Sequence, residues 1–215
     1  METKYKTIFI DWDGTLTRAR FWGHWATGEN AKTYEIIQER FFATEQDFLA
    51  RWMRGGETAE SCATLLSGIT GLNPANLLIN LEISCKQMQF ISESLTSLIH
   101  DLRRTGVKVV IATDNMDTFG RWTVPALGLR DMADSILDSY SLHVLKKEAL
   151  PSGKSAFFSA YLESQGIQPG ETLLLDDNAK NKRVEDFGIN FIQVTNGNSL
   201  ATILDSLITH CRIKS

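Results

Sequence analysis

The chain has 215 residues, of which 43% are hydrophobic, and a formal net charge of −4. This length supports one sizeable hydrophobic core, alone or with a smaller accessory domain. The sequence contains no basic block that would bind nucleic acid or an anionic membrane by charge, and no apolar run long enough to span a bilayer. We expect neither nucleic acid nor a membrane among its partners, and either a monomer or a homodimer.

The cysteines and the first residues indicate the compartment. Cys62, Cys85 and Cys211 are far apart and odd in number, so a disulfide framework or a structural zinc site is not expected. The opening letters METKYK lack the apolar stretch of a secretory signal. We therefore predict a cytoplasmic protein in which Cys62 and Cys85 are small core residues on helices.

The first predicted strand is Thr7–Ile10, a continuous apolar run followed by the letters DWDGT. Because side chains two residues apart in an extended chain point to the same side, Asp11 and Asp13 face one space and Trp12 faces away. The following Gly14 permits a tight turn. Two carboxylates this close together require a cation, a shared proton or both.

Residues 18 to 103 contain no convincing strand and are predicted to form four or five helices. Asn73-Pro74 is typical of a helix start, and Thr44–Asp47 resembles a capping box. Gly106 is the stop signal of a helix predicted over Ser92–Thr105. The segment follows the charged turn directly, so we interpret it as an all-helical insertion beside that turn.

From residue 107 onward, strands and helices alternate, which is typical of a doubly wound α/β fold with a parallel sheet. The apolar runs are continuous, as in strands buried on both faces. The predicted strands are Val107–Ala112, Ser135–Tyr140, Thr172–Leu175 and Asn190–Val194, and the predicted helices are Lys154–Gln165, Ala179–Phe187 and Ser199–His210. We predict a Rossmann-like core of residues 1–17 and 104–215 and a helical insertion of residues 18–103.

Two of these strands also end in polar residues. Thr113 and Asp114 follow one strand, where a hydroxyl and backbone amides are suited to an anion's oxygens. Asp176 and Asp177 follow another, and such hard oxygen donors favour Mg²⁺ over zinc or copper. Ligands of open α/β sheets bind beyond the carboxyl ends of the strands, so these ends are predicted to share one site with Asp11.

The motifs resemble those of the haloacid dehalogenase (HAD) superfamily of phosphatases and phosphomutases. DWDGTLT is similar to the family's first motif, DxDGT, the strand end at Thr113 to its second, and LLLDDNAKN to its fourth. The resemblance covers residues 1–17 and 104–215, and it places the helical insertion where the family carries its C1 cap, over the active site. The first and fourth motifs are specific in combination, whereas the second is weak by itself.

The family's third motif is a lysine, and two lysines compete for this role. SYSLHVLKKEALPSG is similar to the family's S-x-x-x-G-x-x-K-P stretch and selects Lys146, although His143 and Lys147 replace the glycine and the proline. The spacing counted back from AFFSAYLESQGIQPGETLLLDD selects Lys154 instead. We favour Lys146, with Lys154 as the alternative; a third possibility is that both lysines are solvated.

The resemblance implies catalytic roles for the residues of the first motif. Asp11 is the expected nucleophile, which forms an aspartyl-phosphate, and Asp13 is the expected general acid and later the general base. The groups expected to hold the phosphoryl group are Thr113, Lys146 and the backbone amides of Trp12 and Asp114.

The resemblance also implies a Mg²⁺ cofactor. Its expected ligands are Asp11, the backbone carbonyl of Asp13 and Asp177, with Asp176 either a ligand or a neighbour of one. The metal offsets the repulsion between an anionic nucleophile and an anionic phosphate.

The implied activity is Mg²⁺-dependent hydrolysis of a small phosphorylated substrate. The nearest alternative is a phosphomutase that uses the same residues, and a further one is a non-catalytic protein that binds a phosphate ligand on the same fold. The acid at Asp13 suits an oxygen leaving group, whereas a halide leaves without a proton, which argues against dehalogenation.

An aromatic stretch, RFWGHWATG, follows the first motif and enters the helical insertion. Phe21, Trp22, His24 and Trp25 would form either a substrate-facing wall or the packing between helices. We favour packing, because aromatic residues at such spacing more often fill a core.

Overall fold

The computed structural model describes residues 5–214, and the side chains of residues 5–211. Five strands and ten α-helices make up this part of the chain, together with short 3₁₀ and π-helical turns. The strands are β1 (Thr7–Ile10), β2 (Lys108–Thr113), β3 (Ser135–Asp138), β4 (Thr172–Asp176) and β5 (Asn190–Gln193). The helices are α1 (Ala31–Ile37), α2 (Gln46–Met53), α3 (Ala59–Thr70), α4 (Pro74–Lys86), α5 (Ser94–Arg104), α6 (Val124–Ala126), α7 (Leu129–Met132), α8 (Ser139–Leu142), α9 (Ser159–Gln165) and α10 (Leu200–Lys214).

The strands form one parallel sheet in the order β3-β2-β1-β4-β5. β1 is central, and its last residue, Ile10, pairs with Ile111 of β2 and Leu175 of β4. The strand order reverses direction beside β1, which is where open α/β sheets bind their ligands. The predicted α/β class is confirmed, and the topology brings the carboxyl ends of β1, β2 and β4 together.

Helices cover both faces of the sheet, which explains the continuous apolar runs. Ile8 and Ile10 of β1 belong to the larger buried cluster, on the face of α5 and α10. Phe9 points to the other face and packs against Phe158, with ring centroids 4.7 Å apart. Strands buried on both faces have no polar side, so their sequences do not alternate.

Two local predictions are wrong, and the strand boundaries shift by one or two residues. The helix predicted from Lys154 begins only at Ser159, because Leu150 N donates to Lys154 O at 2.8 Å in a turn over residues 150–154, and Ser155 forms an isolated bridge with Ala149. The capping box at Thr44 does not form, since its hydroxyl donates to Arg40 O at 2.8 Å and α2 begins later.

The helical insertion contains α1 to α4 and, by the predicted boundaries, most of α5. Asn73 caps α4 as predicted, because its side chain accepts a hydrogen bond from Ala75 N at 2.8 Å. Trp22, Phe41 and Trp52 are fully buried among these helices. α5 packs against β2 and α10 of the predicted core. The division at residues 17/18 and 103/104 remains a prediction.

Among residues 5–214, no single helix has the length and apolarity needed to cross a membrane. The consecutive helices α3 and α4 reach that length only together, and they meet at 119°.

Candidate active site

The turn after β1 is held by backbone hydrogen bonds. Asp11 N donates to Leu175 O at 2.9 Å, which fixes the strand end against β4. The carbonyl of Trp12 accepts hydrogen bonds from the two residues that follow Thr15, at 2.9 and 3.0 Å. Gly14 has a φ of 82°, a left-handed conformation that favours glycine. The Trp12 side chain is buried, as predicted from the alternation of side chains along the strand.

Three carboxylates meet at the carboxyl ends of β1 and β4. One oxygen from each of Asp11, Asp176 and Asp177 lies within 4.8 Å of the other two. Asp11 and Asp176 are buried, and Asp177 is partly exposed. Neighbouring strands that end at the same level of the sheet produce this cluster, and we call it the acidic trio.

Neighbouring residues hold both aspartates at the end of β4. Asp176 accepts a hydrogen bond from Asn181 Nδ2 at 2.8 Å and another from Asn178 N at 2.9 Å. Asp177 N donates to the buried hydroxyl of Thr15 at 2.9 Å. The letters NAKN after the two aspartates thus supply bonds that orient the trio.

Lys146 enters the site between two carboxylates. Its ammonium lies 2.8 Å from Asp11 Oδ1 and 2.5 Å from Asp176 Oδ2, and its side chain is 1% exposed. Lys146 N also donates to Asp114 Oδ1 at 2.9 Å. Lys154 instead forms an exposed ion pair with Glu163 at 2.8 Å. The structure therefore brings the favoured lysine to the acidic trio, and its role toward phosphate remains a prediction.

Burial and charge act in opposite directions on these groups. Burial raises the pKa of Asp11, and the attraction of Lys146 offsets only part of this effect. Burial alone would lower the pKa of Lys146, but Asp11, Asp176 and Asp114 outweigh it, so that the pKa is raised. The ammonium thus stays charged, and the site holds more carboxylates than cations.

The end of β2 contributes a hydroxyl and a carboxylate. The Thr113 hydroxyl is buried, and within the described part of the chain it has no hydrogen-bond partner. Ser139 holds the next turn, because Asn115 N donates to its hydroxyl at 2.9 Å. A buried hydroxyl without a partner is costly and is suited to a ligand oxygen.

Asp13 stands apart from the acidic trio. Its carboxylate forms an ion pair with Arg20, and its side chain is 58% exposed. The surrounding protein nevertheless removes part of its hydration, which raises its pKa above the ordinary value, and Arg20 counteracts this shift. The sequence analysis did not anticipate the partner Arg20. The expected metal ligand, the backbone carbonyl of Asp13, remains a prediction.

A cavity of about 410 Å³ opens beside Asp13, between the turn and the helical insertion. Most of its lining is apolar, and sequence reasoning missed nearly all of it because helix packing brings these residues together from distant segments. Of the aromatic stretch after the first motif, Phe21 lines this cavity, whereas Trp22 and Trp25 are buried. The lining from the insertion includes Phe21, Gln38, Phe42, Gln46, Leu49 and Met53.

The donors present fit a hard divalent cation. The acidic trio offers three carboxylate oxygens, the ligand type that Mg²⁺ prefers. Lys146 compensates only one of the trio's charges, so an added cation would relieve the remaining repulsion. Asp11, Asp176 and Asp177 are the residues that would hold Mg²⁺.

The acidic side chains thus gather at the carboxyl edge of the parallel sheet, where open α/β sheets bind their ligands. Residues 5–181 match the family model of haloacid dehalogenase-like hydrolases. The chain therefore belongs to the haloacid dehalogenase-like hydrolase family. Among curated proteins, none matches the chain in sequence.

Solved structures share the fold at low sequence identity. A HAD family enzyme from Bacteroides thetaiotaomicron is 18% identical with a TM-score of 0.68, over 93% of this chain and 98% of that one. A predicted HAD-like family hydrolase from Porphyromonas gingivalis is 18% identical with a TM-score of 0.68, over 95% of this chain and 98% of that one. The L-2-haloacid dehalogenase from Xanthobacter autotrophicus was solved with chloropropionic acid covalently bound. It is 14% identical with a TM-score of 0.64, over 94% of this chain and 88% of that one. At these identities the likeness shows the fold alone.

Proposed function

We propose that this hydrolase is a Mg²⁺-dependent phosphatase that acts on a small phosphorylated metabolite. The observation that carries the proposal is the acidic trio, Asp11, Asp176 and Asp177, with a fourth carboxylate, Asp13, two residues after Asp11 in the same turn. Bound Mg²⁺ would neutralise charge on the carboxylates and on the phosphoryl oxygens. The Bacteroides enzyme has been solved with magnesium and inorganic phosphate, which supports the same chemistry here.

The side chains divide the chemistry between them. Asp11 attacks phosphorus and forms an aspartyl-phosphate, while the leaving oxygen takes a proton from Asp13. Lys146, already 2.8 Å from Asp11, places positive charge next to the nucleophile and the transferred group. The hydroxyl of Thr113 donates to a phosphoryl oxygen. Asp13 then takes a proton from the water that hydrolyses the intermediate.

Asp13 distinguishes this proposal from dehalogenation. A halide leaves without a proton, so a dehalogenase needs no acid two residues after its nucleophile. An alkoxide leaving group needs one, and Asp13, which lines the cavity two residues after Asp11, supplies it in this proposal. A phosphomutase would use the same residues and remains the alternative.

We also propose a cytoplasmic location, which the free cysteines Cys62, Cys85 and Cys211 support.

The deciding experiment compares two leaving groups on one protein. Phosphate release from phenyl phosphate and chloride release from 2-chloropropionate are measured with Mg²⁺ and with a chelator. We expect Mg²⁺-dependent phosphate release that Asp11→Asn abolishes, and no chloride release. Chloride release without phosphate release would refute the proposal.

A further inference from the structure

The cavity beside Asp13 carries information about the substrate beyond its phosphate. It lies between the general acid and the helical insertion, on the side where a leaving group would sit. From the core it is lined by five residues, namely Trp12, Asp13, Asp114, Asn115 and Met116. The inference below rests on the proposed phosphatase function.

The side chains that face the cavity from the insertion are mainly apolar. Phe21, Phe42 and Met53 are partly exposed there, and Leu49 is buried beneath them. Sugar phosphates need many hydrogen-bonding groups around the leaving group, whereas this wall has three polar side chains, Arg20, Gln38 and Gln46. Arg20 is already paired with Asp13. Apolar side chains left partly exposed in a concave site are typical of an apolar ligand pocket.

One polar group in this wall lacks a partner. Gln38 lines the cavity, and its buried Nε2 has no hydrogen-bond partner among residues 5–214. Gln46, the other amide that the insertion places in this wall, is paired because its Nε2 donates to Phe42 O at 2.7 Å. An unpaired buried amide is unfavourable, and rotation of the Gln38 side chain toward the cavity would bring its Nε2 to an acceptor on a ligand.

The backbone around Gln38 is also unusual. Gln38–Phe42 is a π-helical turn that follows α1, and it places both of its end residues on the cavity wall. Such wide turns are rare and occur frequently at functional sites. The turn is thus a second observation, independent of the unpaired amide, that points to this wall.

We propose that the leaving group is an apolar, ring-sized alcohol with one hydrogen-bond acceptor, and that Gln38 selects it by donating to that acceptor. A volume of about 410 Å³ holds on the order of ten non-hydrogen atoms, since a water-sized group takes ~30 Å³ in a liquid. The phosphate end reaches Asp11, and the alcohol oxygen faces Asp13. Gln38 is a specificity residue in this assignment.

The test uses two esters of matched shape, and their different leaving-group acidity cancels when the ratio of their rates is compared between wild type and Gln38→Leu. The 4-acetylbenzyl and 4-isopropylbenzyl phosphates differ in one acceptor, and glycerol phosphate serves as the polar comparison. We expect both benzyl esters to exceed glycerol phosphate by at least ~10-fold in kcat/KM, and the acetyl ester to exceed the isopropyl ester by ~10-fold. In Gln38→Leu the second ratio should fall to about one. Glu39→Gln, an exposed neighbour on the same turn, should keep the wild-type ratios.

A second measurement separates this inference from the proposed function. Binding of 4-acetylbenzyl alcohol is followed by tryptophan fluorescence, because Trp12 lines the cavity, and it requires no turnover. Alcohol binding that Gln38→Leu weakens, in a protein without phosphatase activity, would overturn the proposed function and support the cavity assignment. Phosphatase activity with glycerol phosphate equal to or above the benzyl esters would overturn the cavity assignment alone. An unchanged acetyl-to-isopropyl ratio in Gln38→Leu would overturn the role of Gln38.

Discussion

Trp52 of the helical insertion donates its indole N–H to Asp117 of the core at 2.7 Å. Both side chains are buried, and the same carboxylate accepts from Ala59 N at 3.2 Å and from Arg121 at 2.7 Å. Asp117 lies in the segment after β2, just beyond Thr113. This carboxylate therefore connects α2 and the start of α3 to the segment that follows Thr113. A movement of these two helices away from that segment would break the hydrogen bonds.

Removing this carboxylate should destabilise the protein more than removing one of its donors. Asp117→Ala leaves Trp52, Ala59 and Arg121 without their acceptor, and we expect a loss of about 3–5 kcal/mol. Trp52→Phe removes one donor, and the unpaired oxygen together with the lost volume should cost about 1–3 kcal/mol. Urea denaturation measures both changes. Losses below about 1 kcal/mol in both variants would show that the bonds do not hold the insertion in place.

The ion pair of Glu60 and Arg121 extends the same network. We expect it to make the free energy of unfolding fall as the pH becomes acidic. The Arg121 hydrogen bond lowers the pKa of Glu60 from 4.5 to about 2. A lowered pKa in the folded state gives stability that is present above pH 4.5 and is lost as the pH falls toward 2. Because Glu60 is half exposed, its share is at most about 1 kcal/mol. Glu60→Gln should reduce the loss of unfolding free energy between pH 6 and pH 3; a pH profile identical to wild type would contradict this.

Lys146 and Lys154 should differ sharply when replaced by methionine. Lys146→Met removes the charge between Asp11 and Asp176, and we expect kcat/KM for phenyl phosphate to fall by roughly 10²-fold or more, by analogy with losing one transition-state donor. Lys154→Met removes only an exposed partner of Glu163 and is the matched control. Thermal melts identify any loss that comes from unfolding. Similar activity in the two variants would disprove the role of Lys146.

We expect Gly14 to tolerate no side chain, because the carboxylate of Asp177 lies against it and its backbone has a positive φ. A Cβ built on Gly14 would lie 2.2 Å from Asp177 Oδ2, and φ is 82°. Gly14→Ala should therefore displace the carboxylate and raise the Mg²⁺ concentration needed for half-maximal activity by at least ~10-fold, as for loss of a group that orients a metal ligand. Gly68→Ala is the control, because Gly68 lies within α3 with open space around it, and alanine there should stabilise the helix by about 1 kcal/mol. An unchanged Mg²⁺ requirement in Gly14→Ala would contradict a metal at Asp177.

Much of the core was predictable because local sequence determines it. The run before Asp11 is continuous and apolar, and the parallel sheet buries all four residues of β1. The acidic trio followed from the rule that neighbouring strand ends share one edge of the sheet. The sequence favours Lys146 over Lys154 but does not decide between them. Both lysines lie in an irregular loop, where the number of residues between two motifs does not determine which side chain reaches the site. In the structure, a turn over residues 150–154 leaves Lys154 on the surface beside Glu163, whereas Lys146 lies at the acidic trio, and its role toward phosphate stays a prediction.

The cavity was not predictable for a different reason. Gln38 and Phe42 come from the π-helical turn after α1 and Met53 comes from α2, and only the packing of these elements places them beside Asp13. Helical periodicity marks such side chains as apolar and inward-facing, but it does not indicate whether they contact another helix or an open space. The ion pair of Arg20 with Asp13 depends on the same packing.

The aromatic stretch after the first motif should divide into structural and substrate-facing residues. Trp22 is fully buried and donates its indole N–H to Leu77 O at 3.0 Å, so Trp22→Ala should cost about 3–5 kcal/mol and reduce activity on every substrate through loss of fold. Phe21 is only partly buried and lines the cavity, so Phe21→Ala should lower the melting temperature less than Trp22→Ala, although it loses the ring contacts with Phe42 and Trp52. That variant should lower kcat/KM for bulky apolar esters several-fold more than for glycerol phosphate, since only the bulky groups reach the wall. The measurement is a substrate panel read beside a thermal melt for each variant. An equal loss on all substrates in a well-folded Phe21→Ala would show that Phe21 supports the turn rather than contacts the leaving group.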